Sequence, residues 1–188
     1  MKLNLGCGVN HKIGWTNVDS APASNPHVVF DLETTPWPWP DSSADEMLFN
    51  HSLEHMGQDT KTFLAIIQEI YRVGCDGAIV CINVPHPRHD TFLYDPTHVR
   101  AVTPEMLVMF DTQVNEQWAR ANVANTPLGL YLGVDLQTVE ATMVLDEPYL
   151  SQLRTGALKS EEISRLARER NNVIVECRIQ LRVRKPAS

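Results

Sequence analysis

Short apolar runs, each closed by a turn residue or an acid, fill the first quarter of the chain. Lys2–Leu5 runs into Gly6 and Gly8, Trp15–Val18 into Asp19, His27–Phe30 into Asp31, and Glu46–Phe49 into Asn50. Runs of this length with such closures predict strands. Between Asp59 and Gly74 the spacing changes, and Phe63, Ile66, Ile67, Ile70 and Val73 recur at helical intervals. Asp59 or Thr60 can cap that helix, and Gly74 suits a left-handed C-terminal position. Ala78–Val84 is almost wholly apolar, as expected of a strand buried on both faces of a parallel sheet. Farther on, Val139, Ala141, Met143 and Leu145 alternate with polar partners, and so do Val173, Val175, Cys177, Ile179, Leu181 and Val183. Period two predicts two strands with one buried face each, paired antiparallel at the sheet's edge. Ser160–Arg170 reads as a charged surface helix, so residues of about 147–171 form a helical insertion between the last two strands. The expected architecture is a three-layer α/β sandwich, one domain over residues 1–188.

One stretch is compositionally odd. Thr34–Asp41, TTPWPWPD, alternates three prolines with two tryptophans. Proline at that density forbids a helix or a central strand. An extended loop is expected, with Trp37 and Trp39 covering a core edge.

Hydrophobic residues make up 43% of the chain and charged ones 21%, which excludes a disordered or collagen-like polypeptide. Sixteen Lys and Arg against 23 Asp and Glu leave a net charge of −7, so a nucleic-acid partner is not expected. No apolar run approaches the roughly 20 residues of a membrane span. MKLNLGCG enters a strand-like run directly, without the apolar stretch of a secretory signal, and a cytoplasmic location is expected. Cys7, Cys75, Cys81 and Cys177 are scattered without a CxxC pair and read as reduced thiols.

In an open parallel sheet, ligands bind beyond the carboxyl ends of the strands. Those ends carry Gly6-Cys7-Gly8, Asp19, Asp31 and Asn50-His51. Two glycines allow close backbone approach, a carboxylate after the second strand can accept both ribose hydroxyls, and one after the third can accept an adenine amino group. An adenosine-containing cofactor follows. A dinucleotide does not, because Gly6-Cys7-Gly8-Val9-Asn10-His11 lacks the third glycine of GxGxxG, and no GxxxxGK[ST] run supports a nucleoside triphosphate.

The segments KLNLGCG…GWTNVD, VVFDLE, ADEMLFNHSLEHM, IIQEIYRVGCDGAIVCINVP and DPTHVRAVTPEML occur in the order in which class I S-adenosylmethionine-dependent methyltransferases carry their motifs. The chain resembles that family from Lys2 to about Leu107. The resemblance implies a Rossmann-like fold and S-adenosylmethionine as cofactor. Gly6, Cys7 and Gly8 would line its methionine part, Asp19 would hold the ribose, Asp31 and Leu32 would face the adenine, and Asn50 would offer a backbone group near the sulfonium. Asn4 stands where the family commonly has an acid near the cofactor's amino group. The connection from Gly6 to Asp19 has room for little more than a turn around Asn10–Gly14.

Five of the seven histidines lie between residues 51 and 98. His51 follows Asn50, and His98 sits in DPTHVRAVTPE, which the resemblance implies is a loop and helix over the mouth of the site. These two are the candidates for a general base or an orienting group. Thr103-Pro104-Glu105 predicts a capped helix start, and His55 is expected to pack structurally with Glu54. His86-x-x-His89-Asp90 and Asp95-x-x-His98 offer metal-ligand atoms but match no zinc spacing, so no metal is assigned. Arg88 and Arg100 are read as solvated charge, with an acidic acceptor as the alternative role. The expected activity is methyl transfer to a small-molecule or sugar-like acceptor at oxygen. Two alternatives are a cofactor-binding module without catalysis and a metal-dependent enzyme using the His51–His98 loops. The edge of the terminal strand pair is a candidate homodimer contact.

Overall fold

The structure, a computed structural model, describes residues 1–186. Seven strands form one sheet: β1 (Lys2–Leu5), β2 (Thr16–Asp19), β3 (Val28–Val29), β4 (Ala44–Asn50), β5 (Gly74–Pro85), β6 (Leu136–Leu145) and β7 (Ile174–Val183). The spatial order is β3-β2-β1-β4-β5-β7-β6. The first five are parallel, and β7 runs antiparallel between β5 and β6. This is the mostly parallel α/β sheet with an antiparallel C-terminal pair that the strand pattern predicts, in the Rossmann-like topology that the resemblance implies. Strand order reverses between β1 and β4, which opens a crevice where their carboxyl ends diverge.

Register sorts the side chains into two faces. Leu3, Met47, Val80 and Leu181 form one row, and Leu5, Phe49, Ile82 and Ile179 the next, all of them buried. Helix α1 (Thr60–Val73) lies on this face, capped by the Asp59 carboxylate on Thr62 N–H, with Phe63, Ile66, Ile67, Ile70 and Val73 buried. The short helices α2 (Asp90–Leu93), α3 (Pro104–Leu107), α4 (Thr112–Arg120) and α5 (Leu128–Leu132) follow β5. Leu107, Phe110, Trp37 and Trp39 join the same core. The indole N–H of Trp37 donates to the Leu32 carbonyl at 2.9 Å, so the proline-rich loop covers a core edge as expected. Helices α6 (Tyr149–Arg154) and α7 (Ser160–Glu169) lie between β6 and β7.

The opposite face differs from expectation. Its rows are Asn4, Leu48, Cys81 and Gln180, then Asn50, Asn83 and Arg178. Ile79, Cys81 and Asn83 of the central strand are half-buried, not buried on both sides. The connections from β1 to β2 and from β3 to β4 contain turns but no helix, so the third layer is incomplete over the middle of the sheet. Asn4 and Asn17 fasten the first of these connections. Asn4 Nδ2 donates to Asn17 Oδ1 (2.8 Å) and to the Asn10 carbonyl (3.0 Å), while Asn17 Oδ1 also accepts from Lys12 N–H.

Two further corrections concern local geometry. Gly74 is extended (φ −65°, ψ 135°), not left-handed; a Cβ there would lie 2.8 Å from Val183 Cγ2, so space rather than φ reserves the position for glycine. In β6 a bulge at Val139 shifts the alternation, and Val139, Ala141 and Met143 are exposed rather than buried on one face.

Candidate functional site

An open cleft of about 430 Å³ lies at the carboxyl ends of β1 to β4. Gly6, Gly8, Asp19, Asp31, Leu32 and His51 all line it, so residues from four separate strand ends meet there. Gly6 has φ 69°, and a Cβ on it would lie 2.5 Å from the Cβ of Ser52. Gly8, at φ 49°, faces open space. The Asp19 carboxylate accepts from Gly8 N–H at 2.7 Å and from Ala21 N–H at 2.9 Å. Each oxygen keeps a second lone pair, enough for two hydroxyls of a ribose. Asp31 accepts from Glu33 N–H and is otherwise exposed; Phe30, Leu32 and Met56 supply apolar wall. The volume and the mixture of apolar wall with a few convergent polar groups suit a nucleoside-bearing ligand.

Asn4 and Cys7, expected here, lie elsewhere, while the role expected of Asn50 is one of its backbone rather than its side chain. Asn4, Cys7 and Asn50 border a separate depression with Asn10, His11, Lys12, Leu48 and Asn83. Strand alternation is the cause: Leu3 and Leu5 take the core face, which turns Asn4 to the other side. Asn4 is a clamp on the β1–β2 connection, and the Asn50 side chain accepts from Asn83 Nδ2 at 2.9 Å. Burial, with Asp19 adding to it, pushes the Cys7 thiol above the usual range.

A second cleft of about 470 Å³ adjoins the first and shares His51 and His55 with it. Its walls include Glu54, His98, Tyr94, Asp95 and Glu176. His51 has φ 52°, and its Nε2 donates to Glu176 at 2.8 Å, which in the neutral ring leaves the lone pair on Nδ1, 3.7 Å from Glu54. His98 Nδ1 donates to the Phe92 carbonyl at 2.9 Å, which in the neutral ring places the lone pair on Nε2. Glu54 is 1% exposed, and neither carboxylate oxygen has a hydrogen-bond partner. Burial pushes its carboxyl above the usual range, against weaker pulls from its own backbone and from His55, His51 and His98.

Sequence reasoning missed Glu54 and Glu176. The LEH segment displays Glu54 but carries no sign of its burial, and Glu176 stands 125 positions from the His51 it holds. His55, expected to be structural, is exposed and borders both clefts. His89 is fully engaged, since Nδ1 accepts from Thr91 N–H and Nε2 donates to Asp146 at 3.0 Å. His86 Nδ1 accepts from Arg88 N–H. Neither arginine is merely solvated: Arg88 donates to the Ala167 and Arg168 carbonyls near the end of α7, and Arg100 donates to Gly57 O while lying 4.4 Å over the Phe63 ring. All four cysteines are free, and burial pushes the Cys177 thiol up to about 12. Among the described residues no helix is long and apolar enough to cross a membrane.

No protein-family model matches the chain, and no curated protein matches its sequence. Solved structures do match. A SAM-dependent methyltransferase from Archaeoglobus fulgidus superposes with a TM-score of 0.65 at 19% identity, covering 96% of this chain and 85% of that one. A SAM-dependent methyltransferase from Methanosarcina mazei gives 0.55 at 14%, with 98% and 92% covered. The [4+2]-cyclase SpnF gives 0.56 at 15%, with 98% and 74% covered. At these identities the likeness is one of fold, and a cyclase among the neighbours illustrates that this fold does not specify a reaction.

Proposed function

We propose that the chain transfers a methyl group from S-adenosylmethionine to an oxygen of a small-molecule or sugar-like acceptor. The observation that carries this reading is the pair of adjoining clefts, one with glycine and carboxylate strand ends and one with histidines, meeting at His51 and His55. Asp19 receives the ribose hydroxyls, Asp31 and Leu32 take the adenine end, and Gly8 leaves room for close approach. When bound, the cofactor supplies an electrophilic methyl on an excellent leaving group. The protein's task is then alignment and the removal of one proton. His51 takes the acceptor's hydroxyl proton at Nδ1, and Glu176 fixes the ring and balances the imidazolium that forms. A net charge of −7 supports a small acceptor over a nucleic acid.

Isothermal titration with S-adenosylhomocysteine tests the cofactor half. Saturable binding is expected, weakened at least about tenfold in Asp31→Ala, as the loss of a hydrogen bond to a charged group worth about 1.5–3 kcal/mol requires. No heat from the unaltered protein, or equal affinity in Asp31→Ala, would reject the assignment.

A further inference from the structure

We propose that Glu54, His55 and His98 form a binding site for a divalent transition-metal ion in the wall of the second cleft. One ligand atom from each of the three lies within 4.8 Å of the others. Glu54 is the strongest indication. Its carboxylate is buried at 1% exposure with both oxygens unpartnered, and among the described residues no lysine or arginine pairs with it. A buried carboxylate with no hydrogen bond and no lysine or arginine beside it is costly to ionise, and a bound cation would offset that cost.

The hydrogen bonds around the two imidazoles leave lone pairs for such an ion. His98 Nδ1 faces the Phe92 carbonyl, which can only accept, so in the neutral ring Nε2 carries the lone pair, 4.0 Å from Glu54 Oε1. Two donors each about 2.1 Å from one ion stand at most about 4.2 Å apart, so this gap fits an ion where it fits no hydrogen bond. His55 Nδ1 lies 2.9 Å from Thr97 Oγ1. That hydroxyl gives its single proton to Asp95 at 2.6 Å, so it accepts from His55 Nδ1, and in the neutral ring the lone pair lies on His55 Nε2. Anchoring one ring nitrogen so that the other is free is the usual outer support of a metal-binding histidine. Asp95 Oδ2, 3.8 Å from His98 Nε2, stands by as a further oxygen donor.

Two imidazoles and one carboxylate suit zinc, cobalt, manganese or iron(II), with at least one position open. Glu54, His55 and His98 all line the second cleft, so an open position on the ion would be available to an acceptor oxygen there and would lower the pKa of its hydroxyl. That use of the ion rests on the methyl-transfer reading; the binding of the ion does not.

The test is titration of the full chain with Co²⁺, followed by visible absorption, and with Zn²⁺ by calorimetry. Saturation at one equivalent is expected, with affinity reduced at least about tenfold in Glu54→Gln and in His98→Asn. His86→Ala, outside the cluster, should bind as the unaltered protein does, and the thermal transition of each variant reports its folding. Absence of saturable binding, undiminished affinity in Glu54→Gln and His98→Asn, or a spectrum dominated by thiolate charge transfer would overturn the site. S-adenosylhomocysteine titrated in parallel separates the two readings, because each ligand can bind while the other fails.

Discussion

Alanine placed in turn at Gly6 and at Gly8 would separate two glycines that look alike in the motif. Both adopt positive φ, 69° and 49°. At Gly6 a Cβ would meet Ser52 Cβ at 2.5 Å and Oγ at 3.0 Å, whereas at Gly8 nothing lies within 4 Å. Ser52 cannot simply turn aside, since it is buried and its hydroxyl donates to the Leu5 carbonyl at 2.8 Å. Left-handed strain costs alanine about 1–2 kcal/mol at either position. Overpacking adds about 1–3 kcal/mol at Gly6 alone. With about 2–4 °C lost per kcal/mol in a chain of this size, Gly6→Ala should lower Tm by about 4–20 °C and Gly8→Ala by about 2–8 °C. Thermal unfolding followed by circular dichroism measures both. Adding Ser52→Gly to Gly6→Ala should recover the steric part, giving a coupling of about 1–3 kcal/mol in a double-mutant cycle by urea denaturation. If Gly8→Ala is as damaging as Gly6→Ala, or the cycle shows no coupling, packing against Ser52 does not reserve position 6 for glycine.

Three further outcomes are expected. His51→Ala should slow methyl transfer about 10²–10⁴-fold with S-adenosylhomocysteine affinity retained, in a turnover assay run beside calorimetry; unchanged turnover would remove His51 as the proton acceptor. Burial opposes ionisation of Glu69, but hydrogen bonds from Arg72 and the Trp37 N–H outweigh it and hold the carboxyl below the usual glutamate range. A lowered folded pKa means that this stabilisation is present at neutral pH and lost as pH falls through the folded value, so Glu69→Gln should cost about 1.5–3 kcal/mol at pH 7 and progressively less in acid. Gly74→Ala should cost about 1–3 kcal/mol through its contact with Val183, read as a shift in the urea midpoint.

Strand ends were the most legible part of the site. Gly6, Gly8, Asp19, Asp31 and Leu32 each follow a short apolar run, and a parallel sheet sends such ends to one side, so their meeting in a single cleft follows from connectivity. The orientation of Asn4 was also legible in principle: period two in Lys2–Leu5, with Leu3 and Leu5 inward, already turns Asn4 away. Cys7 carries no such signal, because it lies in a turn beyond the strand.

The local code of the chain, apolar period, caps and breakers, determined the order and type of its main elements, because those signals act over a few residues and survive without tertiary context. The half-open face of the sheet is also local in origin, because neither early connection had length or composition for a helix. Other features depend on contacts between distant segments. The bulge at Val139 and the close fit of Gly74 against Val183 belong to strand pairing. The unpartnered Glu54 beside His98, and Glu176 holding His51, arise only when β4, β7 and the loop after β5 are brought together. Burial leaves Glu54 unpartnered and raises its carboxyl above the usual range, and burial is a property of the assembled fold.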